Sequence, residues 1–244
     1  MFVNPLSVLF PGRRWLRPGM SQVIDISTRQ VQYFPIPKVA CSTLMAGVAE
    51  VLGIEPPADE WAPEIFQTHK WDHLYDREQV VLSKADALRK VGRWRFAFVR
   101  NPWDRLVSCY SEKIREDGDA ENFVDGVSKI LLSFNAFHGS MTFDDFVDAA
   151  TAIPDDQADP HWRSQYTFLV DRSDRLAMDF VGRFEHLNRD IRCIAGKLGC
   201  ELNLRHLLMS RRGAYSGYYN ARTRERVARR YERDISMFNF TFEG

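Results

Sequence analysis

Two short apolar runs in this chain each pass directly into the start of a helix, and this repetition constrains the fold more than any other feature. Residues 31–36 (VQYFPI) are apolar, aromatic and β-branched, and Pro37 ends them. A helical period follows, with Leu44, Val48, Val51 and Leu52 on one face and Gly53 as a stop. Residues 94–99 (WRFAFV) form the second and stronger run, ending at Arg100. Asn101 then reads as an N-cap, Pro102 as the first helical residue and Asp104 as an acidic first-turn residue. This helix turns Leu106, Val107, Tyr110 and Ile114 inward. Strands alternating with helices predict one α/β domain of three layers, with a mostly parallel central sheet covered by helices on both faces.

The rest of the chain fits that plan. Residues 64–68 predict a weak strand and residues 180–184 a further one, followed by a helix that stops at Leu198 before Gly199. Thr142 with Asp145 reads as a variant capping box ahead of Phe143, Phe146 and Val147. A last helix from near Asn220 sets Val227, Tyr231, Ile235 and Phe238 on one side. Residues 1–30 are expected to form an N-terminal arm and residues 31–244 the domain.

Hydrophobic residues at 45%, charged residues at 27% and a formal net charge of zero exclude disorder and a uniformly basic surface. A nucleic-acid partner is therefore not expected. No run approaches the roughly 18–20 apolar residues of a membrane-spanning helix. In the opening MFVNPLSVLFPGRRWLRPGM the arginines follow the apolar part, the reverse of a secretory signal. The cysteines at 41, 109, 193 and 200 form no CxxC pair, which argues against a zinc site and a disulfide framework. A reducing, cytoplasmic location is the expectation; oligomeric state is not legible.

Chemistry concentrates where the two runs end. Between strand and helix lies Ile36-Pro-Lys-Val-Ala-Cys-Ser-Thr-Leu44. A helix start offers backbone N–H groups and the positive end of a dipole to a phosphate. Small residues at Ala40, Cys41 and Ser42 permit close approach, Ser42 and Thr43 add hydroxyls, and Lys38 adds a mobile charge. GxxxxGK[ST] is absent, so the loop is not a Walker A sequence. At the second run, Arg100 stands at the strand end and Ser108 in the second turn of the next helix, where both could converge on one phosphate. Arg105 is expected to point away from Ser108.

IPKVACSTL resembles the 5′-phosphosulfate loop of sulfotransferases that use 3′-phosphoadenosine 5′-phosphosulfate (PAPS), in the branch that includes carbohydrate sulfotransferases. FVRNPWDRLVSCYSEK resembles that family's 3′-phosphate motif. Residues 160–165 (PHWRSQ) are similar to its HWxxQ segment, residues 179–185 (DFVGRFE) to its DFVGKFE strand, and residues 215–240 to its closing helix. The resemblance implies a P-loop-NTPase-like fold and sulfuryl transfer from PAPS to a hydroxyl or amine, with a carbohydrate or small molecule as acceptor. Lys38, Val39, Ala40, Cys41, Ser42 and Thr43 would hold the 5′-phosphosulfate, and Arg100 and Ser108 the 3′-phosphate. Ser210, Arg211, Arg212 and Gly213 would form a basic loop closing over the cofactor. The segment 115–165 is a candidate insertion shaping the acceptor site, and Trp61, Trp71 and Trp162 are candidates for a sugar platform.

Transfer of this kind is dominated by positioning and charge stabilisation, so Lys38 is expected to follow charge onto the bridging oxygen without an obligatory metal. A base must take the acceptor's proton. His69 resembles the KTHL position of cytosolic sulfotransferases, and His161 and Glu185 are the other candidates. Two further readings stay open: a P-loop kinase-like phosphotransferase, and a non-catalytic nucleotide- or glycan-binding module.

Overall fold

The structure, a computed structural model, describes residues 22–54, 80–115, 118, 122–202, 204 and 213–243. Its first half runs β1 (Gln22–Ile26), β2 (Val31–Phe34), α1 (Cys41–Leu52), β3 (Val81–Ser83), α2 (Lys84–Arg89), β4 (Trp94–Val99) and α3 (Pro102–Lys113). A small hairpin of β5 (Phe123–Val124) and β6 (Val127–Ser128) follows, then α4 (Phe143–Ala152) and α5 (Tyr166–Leu169). The chain ends with β7 (Phe180–Arg183), α6 (Leu187–Leu198), α7 (Ala221–Arg230) and α8 (Glu232–Phe238).

Five strands form the central sheet in the order β3-β1-β2-β4-β7. The pairs β2–β4 and β4–β7 are parallel, but β1–β2 and β1–β3 are antiparallel. The sheet is therefore mixed, a correction to the mostly parallel expectation. The cause is local: β1 and β2 are joined by a 3-10 turn at Ser27–Arg29 with Gln30 left-handed at φ 55°, too short for a crossover. Gln22–Ile26 falls within the expected arm, yet Val23 to Ile26 are buried in the sheet.

β2 is buried at four consecutive residues and β4 at its last four. Alternate side chains of a strand point to opposite faces, so both faces of the central strands are covered. Tyr33, Phe96 and Phe98 supply a stacked and edge-on aromatic row, with α1 and α6 contributing Leu44, Val48, Ile194 and Leu198 to the same core. Gly182 of β7 is needed here because a Cβ would lie 2.3 Å from the Phe98 ring.

A second core lies among helices. Trp103, Leu106 and Val107 of α3 pack with Phe146 and Val147 of α4, and with Val227 and Tyr231. Much of the segment 115–165 belongs to this core. Trp162, proposed as a sugar platform, is 1% exposed among Phe134 and Phe137, so it is core instead. Trp61, Trp71 and the strand expected at 64–68 lie outside the described residues. The final helix is interrupted at Tyr231 (φ −112°, ψ 25°), which divides α7 from α8. Among the described residues no helix is long and apolar enough to cross a membrane.

Candidate active site

The carboxyl ends of the parallel strands β2, β4 and β7 share one edge of the sheet, and the loop between β2 and α1 stands on it. Lys38 (φ 68°) and Ala40 (φ 50°) are both left-handed, with Val39 between them at negative φ. Each such residue costs about 1 kcal/mol without glycine's freedom, so the surroundings must enforce the shape. Val39, 1% exposed, anchors the loop in the core, and the Ala40 carbonyl accepts the first helical bond from Leu44 at 3.0 Å. Left-handed residues in a turn can direct successive N–H groups toward one point, the geometry of an anion-binding nest. α1 has no side-chain cap and no acidic residue in its first turn. Cys41, Ser42 and Thr43 form that turn, all buried.

β4 ends beside this loop. Arg100 Nη1 donates to the Lys38 carbonyl at 3.0 Å, so the structure brings both predicted phosphate motifs together. Arg100 Nε also donates to Asp104 Oδ2 at 2.7 Å, and the guanidinium lies 4.0 Å above the Phe184 ring. Its backbone is clamped by Gln165: the Arg100 N–H donates to Gln165 Oε1, and Gln165 Nε2 donates to the Arg100 carbonyl. Asn101 caps α3 by accepting from the Trp103 N–H, as its sequence position predicts. Glu185, one of the candidate bases, accepts the Asn101 N–H at 2.6 Å and so fixes the exit of β4 to that of β7.

α3 joins the two motifs along one face. Asp104, Ser108 and Glu112 are spaced by four residues, so they align over about 12 Å of helix. Asp104 holds Arg100 at one end, and Glu112 forms an ion pair with the Lys38 ammonium at the other. Ser108, 8% exposed, stands midway. Arg105 points elsewhere, as expected. It is 2% exposed and donates to the carbonyls of Pro37, Arg163 and Pro160, tying the loop to the 160–165 segment.

That segment brings in His161. Its side chain is 5% exposed, and Nδ1 lies 2.5 Å from Asp159 Oδ1. A carboxylate can only accept, so Nδ1 carries the proton and Nε2 the lone pair. Burial and the Lys113 charge lower the His161 pKa below its ordinary 6.5, against the opposing pull of Asp159. The imidazole is therefore neutral near pH 7. Lys113, its side chain 9% exposed, donates to Glu112 Oε1 at 2.8 Å. Protein packed around Glu112 would raise its pKa, but Lys38, Lys113 and His161 hold it well below the usual carboxylate range.

His69, Ser210, Arg211 and Arg212 lie outside the described residues. Gly213 is exposed and leads into the 3-10 turn at Tyr215–Tyr218. The sequence reading passed over Glu112, Lys113 and Asp159. A signal for Glu112 was present, one turn beyond Ser108 on the same face; Asp159 has none, because its partner depends on how the 158–165 loop folds. Among the described residues no group of three His, Cys, Asp or Glu side chains is placed to hold a metal.

No curated protein and no solved structure gives a significant match to this chain. The sequence model of the sulfotransferase family, however, matches residues 22–241, from β1 past α8. With the β2–α1 loop, the Arg100 strand end and the α3 face all inside that span, the chain belongs to the sulfotransferase family.

Proposed function

We propose that this chain transfers a sulfuryl group from PAPS to a hydroxyl or amine of an acceptor by in-line displacement, with a carbohydrate as the acceptor its loop sequence favours. Family membership supports a sulfotransferase function. The observation that carries the finer reading is the contact of Arg100 with the carbonyl of Lys38, at the carboxyl edge of two adjacent parallel strands. That edge is where α/β sheets bind nucleotides, and the strand–loop–helix unit there supports a P-loop-like fold.

The loop fits a doubly charged group. Its left-handed residues would turn backbone N–H groups toward one point, Ser42 and Thr43 lie in the helix turn that follows, and Lys38 reaches Glu112 on α3. Arg100 and Ser108 would hold the 3′-phosphate, Lys38 to Thr43 the 5′-phosphosulfate. Lys38 would then follow the negative charge that grows on the bridging oxygen as the sulfur–oxygen bond breaks. His161 would take the acceptor's proton at Nε2, held in the right tautomer by Asp159. His69 stays a candidate for that role by its resemblance to the KTHL position. All four cysteines are free thiols, which fits a reducing compartment such as the cytoplasm.

Calorimetry with adenosine 3′,5′-bisphosphate and with ATP tests the donor, and transfer of labelled sulfate from PAPS to a panel of sugars and phenols tests the reaction. The bisphosphate should bind at least about tenfold more tightly than ATP, because two sites await two separate phosphates. Tighter ATP binding would favour a phosphotransferase. Bisphosphate binding without label transfer across the panel would favour a binding module. In the same assay the acid limb of kcat should fall below pH 6.5, the ordinary histidine value, because His161 is held neutral.

A further inference from the structure

Glu112 and Lys113 close α3, and the reading above gives neither a role. One carboxylate is gripped there by two ammoniums: Glu112 Oε2 by Lys38 and Oε1 by Lys113. The cations are the inner members, with side chains 13% and 9% exposed, whereas the Glu112 side chain is 46% exposed. Among the described residues Glu112 is the only ion-pair partner of Lys113. A buried charge is held by its pairing, and it is held most firmly where the partner is buried too. This one shares the carboxylate of a half-exposed side chain with Lys38 of the β2–α1 loop.

The surrounding charges sharpen the point. Lys38 and Lys113 are balanced by Glu112 and Asp159, and Asp159 is committed to His161. If the half-exposed Glu112 side chain turns out to solvent, one positive charge is left uncompensated in a mostly buried place. Another anion then replaces it at little cost. A sulfuryl group resembles a carboxylate in offering two oxygens on one centre to two donors. Glu112 stays ionised at neutral pH, so it must leave by rotation and not by protonation.

We propose that Lys113 is a second cation for the transferring sulfuryl group, and that Glu112 is an internal carboxylate that holds Lys38 and Lys113 in place until the donor's oxygens displace it. The proposal rests on the PAPS reading. Lys113 would contact the sulfuryl oxygens, while Glu112 acts through the two lysines and is a positioning residue.

The test uses the full chain with Lys113→Met, Lys113→Arg and Glu112→Gln. Lys113→Met should lower kcat by roughly 10²-fold while adenosine 3′,5′-bisphosphate, which lacks the sulfuryl group, binds within about threefold of wild type. Inorganic sulfate titrated into the bisphosphate complex should bind more weakly to Lys113→Met, and Lys113→Arg should recover most of both losses. Glu112→Gln should lower the KM for PAPS several-fold, since the competing anion is gone. Wild-type kcat in Lys113→Met would overturn the proposal. So would a parallel loss of bisphosphate binding and melting temperature that arginine does not restore, because that pattern marks a structural lysine. If wild-type protein neither binds the bisphosphate nor transfers sulfate, the PAPS reading itself has failed, and this inference falls with it.

Discussion

The starts of α1 and α3 occupy equivalent places, each following a parallel strand of the same sheet, but they are finished in opposite ways. At α3 the protein completes its own helix end: Asn101 caps it, Pro102 fills the first position, and Asp104 supplies first-turn negative charge. At α1 the cap residue is Ala40 in a left-handed conformation, with no side-chain cap and no acidic residue in the turn. One end spends its residues on stability; the other accepts backbone strain and keeps acidic side chains out of its first turn. The difference sets a helix start that the chain caps itself, beside Arg100, against one that carries no side-chain cap and no acidic first-turn residue.

The largest effect expected from this contrast is on chemistry. Lys38→Ala should lower kcat by about 10²- to 10³-fold, as loss of a preorganised charge-stabilising donor does. Unchanged turnover in steady-state assays would remove the loop from the mechanism.

Arg100→Ala should act on binding instead, weakening adenosine 3′,5′-bisphosphate by about 2 to 3 kcal/mol in calorimetry. Equal affinity would mean that Arg100 serves the protein's own contacts and not the bisphosphate.

Asn101→Ala tests the closed end. It removes the cap and the hydrogen bond from Asn101 Nδ2 to the Thr241 carbonyl, so unfolding should become easier by about 2 kcal/mol. Chemical denaturation measures this, and a neutral result would show that the two helix ends differ less than their geometry says.

The smallest effect is expected at Ala40→Gly. Relief of left-handed strain and the added freedom of the unfolded chain nearly offset, leaving a gain of up to about 1 kcal/mol. Ala46→Gly inside α1 should instead lose about 1 kcal/mol. If both changes destabilise equally by denaturant titration, the loop is not strained.

Local chemistry was enough for the ends of these elements. Asn101-Pro102 specified a cap whichever way the rest folded, and Gly53 and Gly199 ended their helices at φ 66° and 70° as their positions required. Periodicity likewise made the two faces of α3 legible. β1 escaped because QVIDI is short and sits beside an opening stretch that reads as an arm, and only pairing with β2 and β3 makes it a strand. The resemblances at 160–165 and 179–185 were legible as words but not as roles. Gln165 turned out to clamp the Arg100 backbone, Gly182 to make room for Phe98, and Glu185 to hold the Asn101 N–H.

By itself, then, the sequence determined where strands hand over to helices and which loops carry small and basic residues, because turns, caps and periods depend on neighbours a few positions away. Only the tertiary structure decided that Lys38 reaches Glu112 across 74 residues, that Arg100 meets the Lys38 carbonyl across 62, and that Asp159 orients His161 beside Lys113. Those contacts depend on which strands pair and on how the 158–165 loop is pinned by Arg105, and no short-range pattern encodes either.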